Sequence, residues 1–371
     1  MNQRIPELTG LRAVAVLFVV LGHAAATSNA GYAGALAPLR LFSNGALGVR
    51  IFFVLSGFLI TSLLLKELRS DGRIDLWRFY ERRALRIWPA SYAFLCAVAL
   101  LTVAGLLNIS WPQFAFAALH AWNYGTLWGL DQGSPQHLDG TWYLGHFWSL
   151  ALEEQFYWVW PPLLLLMRRT PQKSLALLIL AVPIVRVVSY FLVPRLRGQL
   201  GMMLHTGVDP ILIGCLAAME RQRFIWWLDR VRFQSAPLAA AVALLLISAL
   251  PLPGTIGRIW NATYGVTFES LLIAGLIVSL SRGNDDLVSR ALRSRLAIFV
   301  GTISFSLYLW QQLFLYRGSP VSLGFPANIA EALAAATLSY WLIEKPFLRI
   351  KERLAARPQK PLRAAADIGP R

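Results

Sequence analysis

The chain has 371 residues, of which 56% are hydrophobic and only 15% charged, and its mean hydropathy is +0.53. That composition excludes an ordinary soluble domain and describes an integral membrane protein. The net charge is +16, but the basic residues sit in short loops rather than along one face, which excludes a nucleic-acid binder. Two cysteines, Cys96 and Cys215, lie inside apolar runs and imply neither a disulfide framework nor a metal site.

Apolar runs of spanning length fall at 9–27, 45–67, 85–107, 145–167, 173–193, 202–220, 236–252, 263–281, 296–316 and 327–347. The expectation is an all-α polytopic bundle of about ten transmembrane helices. Basic clusters at Lys66–Arg86, Arg168–Lys173, Arg221–Arg232 and Arg282–Arg295, and again from Arg349 onward, assign those loops and both termini to the cytoplasm. One further run, 111–130, must then be interfacial or re-entrant on the outer side. The stretch 108–145 has no Lys or Arg, and Trp111, Trp122, Tyr124 and Trp128 suit a membrane-interface belt. Arg195 and Arg197 sit outside on this reading, against the rule. Residues 1–350 are expected to form one transmembrane domain and 351–371 a disordered cytoplasmic tail. The first run is taken as a retained span, because Arg12 interrupts the apolar core that a cleaved leader needs.

That first helix carries Arg12 and His23, eleven positions apart. At about 100° per residue both lie on one face, separated by about 16 Å along the axis. Ionisable groups inside a span are costly and usually face a partner or a water-filled path. In the second run, Ser56-Gly57 at mid-span reads as close helix packing. The loop before the third span ends RFYERRALRIWP. Its Arg82, Arg83 and Arg86 serve either as orientation charge against anionic lipid or as a clamp for a phosphorylated ligand. The fourth span begins HFWSLALEEQFYWVWP, where Ser149, Glu153 and Tyr157 form one polar stripe. Glu153 lies about 12 Å into the helix, at a depth where it can pair with His23. Asp209-Pro210 places an acid and a helix breaker in the sixth run. The ninth reads GTISFSLYLWQQLF, with Ser304, Tyr308 and Gln311 on one face, and Glu344 closes the last span near the cytoplasmic arginines. His120, His137, His146 and His205 are read as ordinary interfacial or loop histidines. No metal-ligand spacing, P-loop or GxSxG elbow is present.

Taken in order, these motifs resemble the bacterial membrane acyltransferase family 3, whose members are integral O-acyltransferases. The resemblance rests on Arg12–His23, FFVLSGFLI (52–60), ERRALRIWP (81–89), WSLALEEQFYWVWP (148–161), the SLYLW stretch and the closing EKP at 344–346. Each is weak alone; six in order are specific and cover nearly the whole chain. The resemblance implies transfer of an acyl group, usually acetyl, from cytoplasmic acyl-CoA to a hydroxyl of a glycan or glycolipid, in the bacterial inner membrane. It also implies His23 as base or acyl carrier, with Glu153 orienting it. Arg12, Arg82, Arg83 and Arg86 would hold the donor, and Ser149, Tyr157, Asp209, Tyr308 and Gln311 would bind substrate. No tightly bound cofactor, metal or nucleic-acid partner is expected. Two positions depart from the family pattern: Gln311 stands where relatives often have His, and no Arg precedes Asp209 directly. A small secondary-metabolite acceptor, or a non-enzymatic transporter, remains open as an alternative.

Overall fold

The computed structural model describes residues 5–28, 32, 34–130, 138–167, 169–249, 257, 259–260 and 263–355, and among these the only regular elements are helices. The segment 356–371, His137 and Arg168 lie outside the described residues.

Helix α1 spans Pro6–Thr27; Pro6 supplies a preset φ in its first turn, and Glu7 complements the helix dipole. Helix α2 (Gly45–Asp71) starts where Asn44 accepts the Leu47 N–H at 3.0 Å, and ends at Gly72 in the left-handed conformation. Helix α3 (Leu76–Val103) is capped by Asp75, which accepts the Arg78 N–H at 3.0 Å. Helix α4 (Trp111–Ala118) follows, then a 3-10 turn over Trp122–Trp128. The break between them falls at His120, with φ +52°. Neither piece is long enough to cross a bilayer, in keeping with an interfacial or re-entrant reading of 111–130. Gln155 ties this segment to α5 (Phe147–Leu166) through a paired amide contact with Asn123 (3.0 and 2.9 Å) and a bond to the His120 carbonyl (2.8 Å).

Helix α6 covers Pro171–Leu192 and α7 covers Asp209–Arg230. The sixth expected run is therefore broken. A short turn at Leu204–Gly207 stops at Val208, and α7 begins at Asp209 with Pro210 in its first turn, where the missing N–H costs nothing. Helices α8 (Ala236–Ala249) and α9 (Gly265–Leu280) come next. The ninth run is also broken: α10 (Arg295–Thr302) and α11 (Ser304–Phe314) meet at 71°. In the last run α12 (Ala327–Ser339) passes through a π turn (Tyr340–Glu344) into α13 (Lys345–Ala355), so helix continues past residue 350.

Four helical stretches are long and apolar enough to cross a membrane: Pro6–Thr27, Gly34–Asp71, Leu76–Val103 and Pro171–Leu192, with the bent α10–α11 pair as a fifth. Helix α5 has the length, with 20 residues, but Glu153, Glu154 and Gln155 lower its hydropathy. Helices α2 and α7 pack backbone to backbone. A Cβ on Gly57 would run into the Ile211 carbonyl, and one on Gly214 into that of Val54. Gly57 is thus a packing residue, whereas its neighbour Ser56 faces Glu153.

Candidate acyl-transfer site

Helices α1, α2, α5 and α11 surround a polar column. At one end His23 lines a cavity of about 510 Å3. Around it stand Trp122, Trp148, His146, Tyr308 and Gln312. The His23 Nδ1 lies 2.9 Å from Gln311 Oε1, and the fully buried Gln311 donates from Nε2 to Gln312 Oε1 at 3.3 Å. With Oε1 of Gln311 turned to the imidazole, Nδ1 is the donor of that bond and carries the proton. His23 Nε2 is then left with its lone pair exposed to chemistry. The Trp142 ring lies edge-on to the imidazole at 5.2 Å, and its own Nε1 donates to the Gln312 carbonyl at 2.9 Å.

Beside the cavity, Ser149 Oγ and Tyr308 OH are 2.5 Å apart, and both reach the His146 carbonyl, at 3.1 and 3.3 Å. Two hydroxyl protons serve two acceptors here, so one hydroxyl donates to the other and that one donates to the carbonyl. The i, i+4, i+8 stripe on α5 therefore splits in function. Ser149 belongs to the His23 end, whereas Glu153 and Tyr157 belong to the other.

Glu153 does not pair with His23. Its Oε1 accepts from Ser56 Oγ at 2.9 Å and its Oε2 from Tyr157 OH at 3.3 Å. The carboxylate lies in the electrostatic neighbourhood of Arg12, together with Arg86, Glu344 and Tyr157. Arg83 stacks over the Tyr157 ring at 4.7 Å. Glu154 accepts from Trp88 Nε1 at 3.2 Å, and Glu344 from Ser306 Oγ at 2.9 Å. The nearby carboxylates are thus met by hydroxyls and an indole. Arg12 and Arg86 have no hydrogen bond or ion pair among the described residues, and both are only half-buried. These two guanidiniums, with Glu153 and Glu344 within electrostatic reach but not paired to them, stand at the end of the column opposite His23.

Of the four arginines expected there, Arg82 does not join. It pairs with Glu67 at 3.0 Å, and Glu67 also caps the Asp75 N–H at 2.9 Å, so Arg82 staples α3 to the end of α2. Arg82 and Arg83 flank Arg86 on opposite sides of α3, and the flank that carries Arg82 meets Glu67 while that of Arg83 meets Tyr157. Asp209 also stands apart. It is fully buried, taking Arg186 Nη2 on Oδ1 at 2.5 Å and Thr267 Oγ1 on Oδ2 at 2.7 Å. Arg186 also donates to the Thr206 and Thr263 carbonyls at 2.6 and 3.1 Å. The arginine missing before Asp209 in the sequence is supplied from α6. With Arg50–Glu269 at 3.0 Å, this forms a charge network that holds α2, α6, α7 and α9 together, away from the His23 cavity. No cluster of three or more metal-ligating side chains occurs among the described residues.

Sequence reasoning missed His146 and Arg186. Neither carries a local motif; each is defined by what packs against it. The family model described as "Acyltransferase domain" matches residues 5–343. The chain belongs to that family. Its ordered motifs are those anticipated for the membrane acyltransferase family 3. Among the relatives it matches, the O-acetyltransferase OatA of Staphylococcus aureus (strain NCTC 8325 / PS 47) is 29% identical over 326 residues, covering 82% of this chain and 50% of that protein. A putative O-acetyltransferase of S. aureus (strain COL) is 28% identical over 359 residues, with coverage of 92% and 57%. The peptidoglycan O-acetyltransferase OatA of Listeria monocytogenes serovar 1/2a (strain ATCC BAA-679 / EGD-e) is 26% identical over 358 residues, with coverage of 92% and 54%. The chain thus spans about half the length of the curated relatives it matches. No solved structure matches it.

Proposed function

We propose that this chain is a multi-pass inner-membrane O-acetyltransferase. In this reading it moves an acetyl group from acetyl-CoA, bound at the cytoplasmic side, to a hydroxyl of a cell-envelope glycan or glycolipid on the outer side. The ten-span topology with both termini cytoplasmic belongs to the same reading. One observation carries it. A single helix face runs from guanidiniums without acid partners, Arg12 joined by Arg86, to a histidine whose free Nε2 adjoins a cavity walled by indoles. The spacing of about 16 Å matches an extended pantetheine arm. Arg12 and Arg86 would hold the donor's phosphates, with Arg83 stacked beside them on Tyr157.

In the chemistry this allows, the acceptor O–H meets His23 Nε2, which takes the proton as the oxygen attacks the thioester carbonyl carbon. The C–S bond then breaks, and the thiolate leaves and is reprotonated. The Nδ1–H to Gln311 bond holds the ring and strengthens as the imidazolium forms. Trp122 and Trp148 offer flat apolar faces against which a sugar ring packs.

The test is transfer of radiolabelled acetyl from acetyl-CoA in membranes carrying wild type or His23→Ala, with inserted protein quantified and glycan and free-sugar acceptors supplied. Label in the glycan fraction with wild type alone is expected. Equal label with His23→Ala would remove His23 from the mechanism. Donor or sugar flux into vesicles without acylated product would replace the enzyme with a transporter.

A further inference from the structure

A second histidine stands on the same cavity without a structural task. His146 is 3% exposed, and neither Nδ1 nor Nε2 meets a hydrogen-bond partner among the described residues. Buried imidazoles ordinarily have both nitrogens satisfied, since each bare polar atom loses its hydration for nothing. The ring is packed edge-on against Phe94 at 5.2 Å and Tyr308 at 5.6 Å, so no acid faces it from those neighbours. It lines the His23 cavity and lies within electrostatic reach of His23 itself.

The backbone beneath this ring is pinned. Its carbonyl accepts from the hydrogen-bonded Ser149–Tyr308 hydroxyl pair, whose oxygens lie 3.1 and 3.3 Å away, and its φ of −62° opens α5. Main chain held by α5 and α11 and side-chain nitrogens left bare is the arrangement of a group kept for a ligand. A neutral imidazole offers one N–H, and the amino end of a 20-residue helix favours negative charge beside it.

We propose that His146 is a catalytic residue of the acyl-transfer chamber, whose ring N–H donates to the acyl carbonyl oxygen. The inference rests on the acyl-transfer reading above and deepens it. As the acceptor oxygen bonds to the carbonyl carbon and its proton passes to His23 Nε2, the carbonyl π electrons move onto oxygen. That oxyanion accepts the His146 N–H. The electrons return as the C–S bond breaks, and the sulfur leaves as thiolate. Two histidines thus divide the work: one takes the proton and the other meets the charge.

The test compares wild type, His146→Phe and His146→Gln in the full-length protein in membranes, with acetyl-CoA as donor, reading kcat and donor KM separately. Removing one preorganised oxyanion donor typically lowers kcat by about 100- to 1,000-fold. His146→Phe should show that loss with donor KM within about threefold, and His146→Gln, which keeps an N–H, should recover at least about tenfold of it. A phenylalanine variant with wild-type kcat overturns the proposal. So does an equal loss in both variants, because packing alone would then account for it. If the phenylalanine variant fails to insert, His146→Asn and His146→Gln are compared, since their amides place an N–H near the positions of Nδ1 and Nε2 respectively. Activity in one and not the other supports the assignment, and equal activity overturns it. An inactive wild type would sink the acyl-transfer reading itself, whereas an active wild type with an indifferent His146 sinks this inference alone.

Discussion

Gln311→Leu is the sharpest test of how His23 is held. Gln311 is fully buried and bridges His23 Nδ1 (2.9 Å) to Gln312 Oε1 (3.3 Å). Leucine fills a similar volume but removes both bonds. Two effects follow, and their sizes differ. Without the amide acceptor the imidazole populates both tautomers, and if they are equal only half the molecules keep Nε2 bare, a loss of about twofold. The larger effect comes from charge. A neutral hydrogen bond contributes about 1 kcal/mol net, and one from a charged donor about 1.5–3 kcal/mol, so the Nδ1–H to Gln311 bond gains about 0.5–2 kcal/mol as the imidazolium forms. At about 1.4 kcal/mol per factor of ten, that lowers kcat by about 2- to 30-fold. Combined with the tautomer effect, the expected loss is about 4- to 60-fold, with donor KM little changed. Gln311→Glu is isosteric, keeps an acceptor at Oε1, and should stay well above the leucine variant. The assay is initial-rate acetyl transfer in membranes normalised to inserted protein. A leucine variant with wild-type kcat would show that the Gln311 contact does nothing for His23.

The split among Arg82, Arg83 and Arg86 gives a second expectation. Arg86→Gln should raise donor KM by at least about tenfold, the loss of one charge-assisted phosphate contact, whereas Arg82→Gln, whose partner is Glu67, should change it less than threefold. Donor titrations of the two variants decide this, and equal effects would refute the assignment of Arg82 to a staple. The Asp209 network gives a third. Arg186→Met leaves a buried carboxylate facing Thr267 alone and should destabilise the fold by about 3–5 kcal/mol. Asp209→Asn in the same chain should recover part of that loss. Denaturant unfolding in detergent measures both, and an undamaged Arg186→Met would mean that the pair carries little.

Composition and hydrophobic periodicity were enough to read an all-helical membrane protein, because apolar runs of spanning length are a local property of the chain. The alignment of Arg12 with His23 was equally legible, since two residues on one helix are related by helical geometry alone. Loop charge pointed to an interfacial or re-entrant 111–130, and the break at His120 is in keeping with that. What α5 does with its stripe was not legible. Ser149, Glu153 and Tyr157 share a face, yet their partners come from α11 and α2, and those helices meet Ser149 and Glu153 at different depths. The same limit explains the His23–Glu153 pair that did not form. Equal depth in two helices says nothing about the rotation and tilt that bring Gln311 to the imidazole instead.

Asp209 shows the division most plainly. As a sequence feature it is an acid next to a proline, and a helix start follows from the proline's missing N–H. Whether that acid meets substrate or a structural base depends on Arg186, 23 residues earlier on another helix, and on Thr267, 58 residues later. The chain by itself determined its class, its helical runs and the family motifs, because these are written in nearest neighbours and in the 3.6-residue period. Tertiary structure alone decided which polar groups find partners and which stay bare. That separated Arg82 from Arg86, and it set His146 apart from an ordinary loop histidine, because satisfaction of a buried polar atom is a property of every helix packed around it.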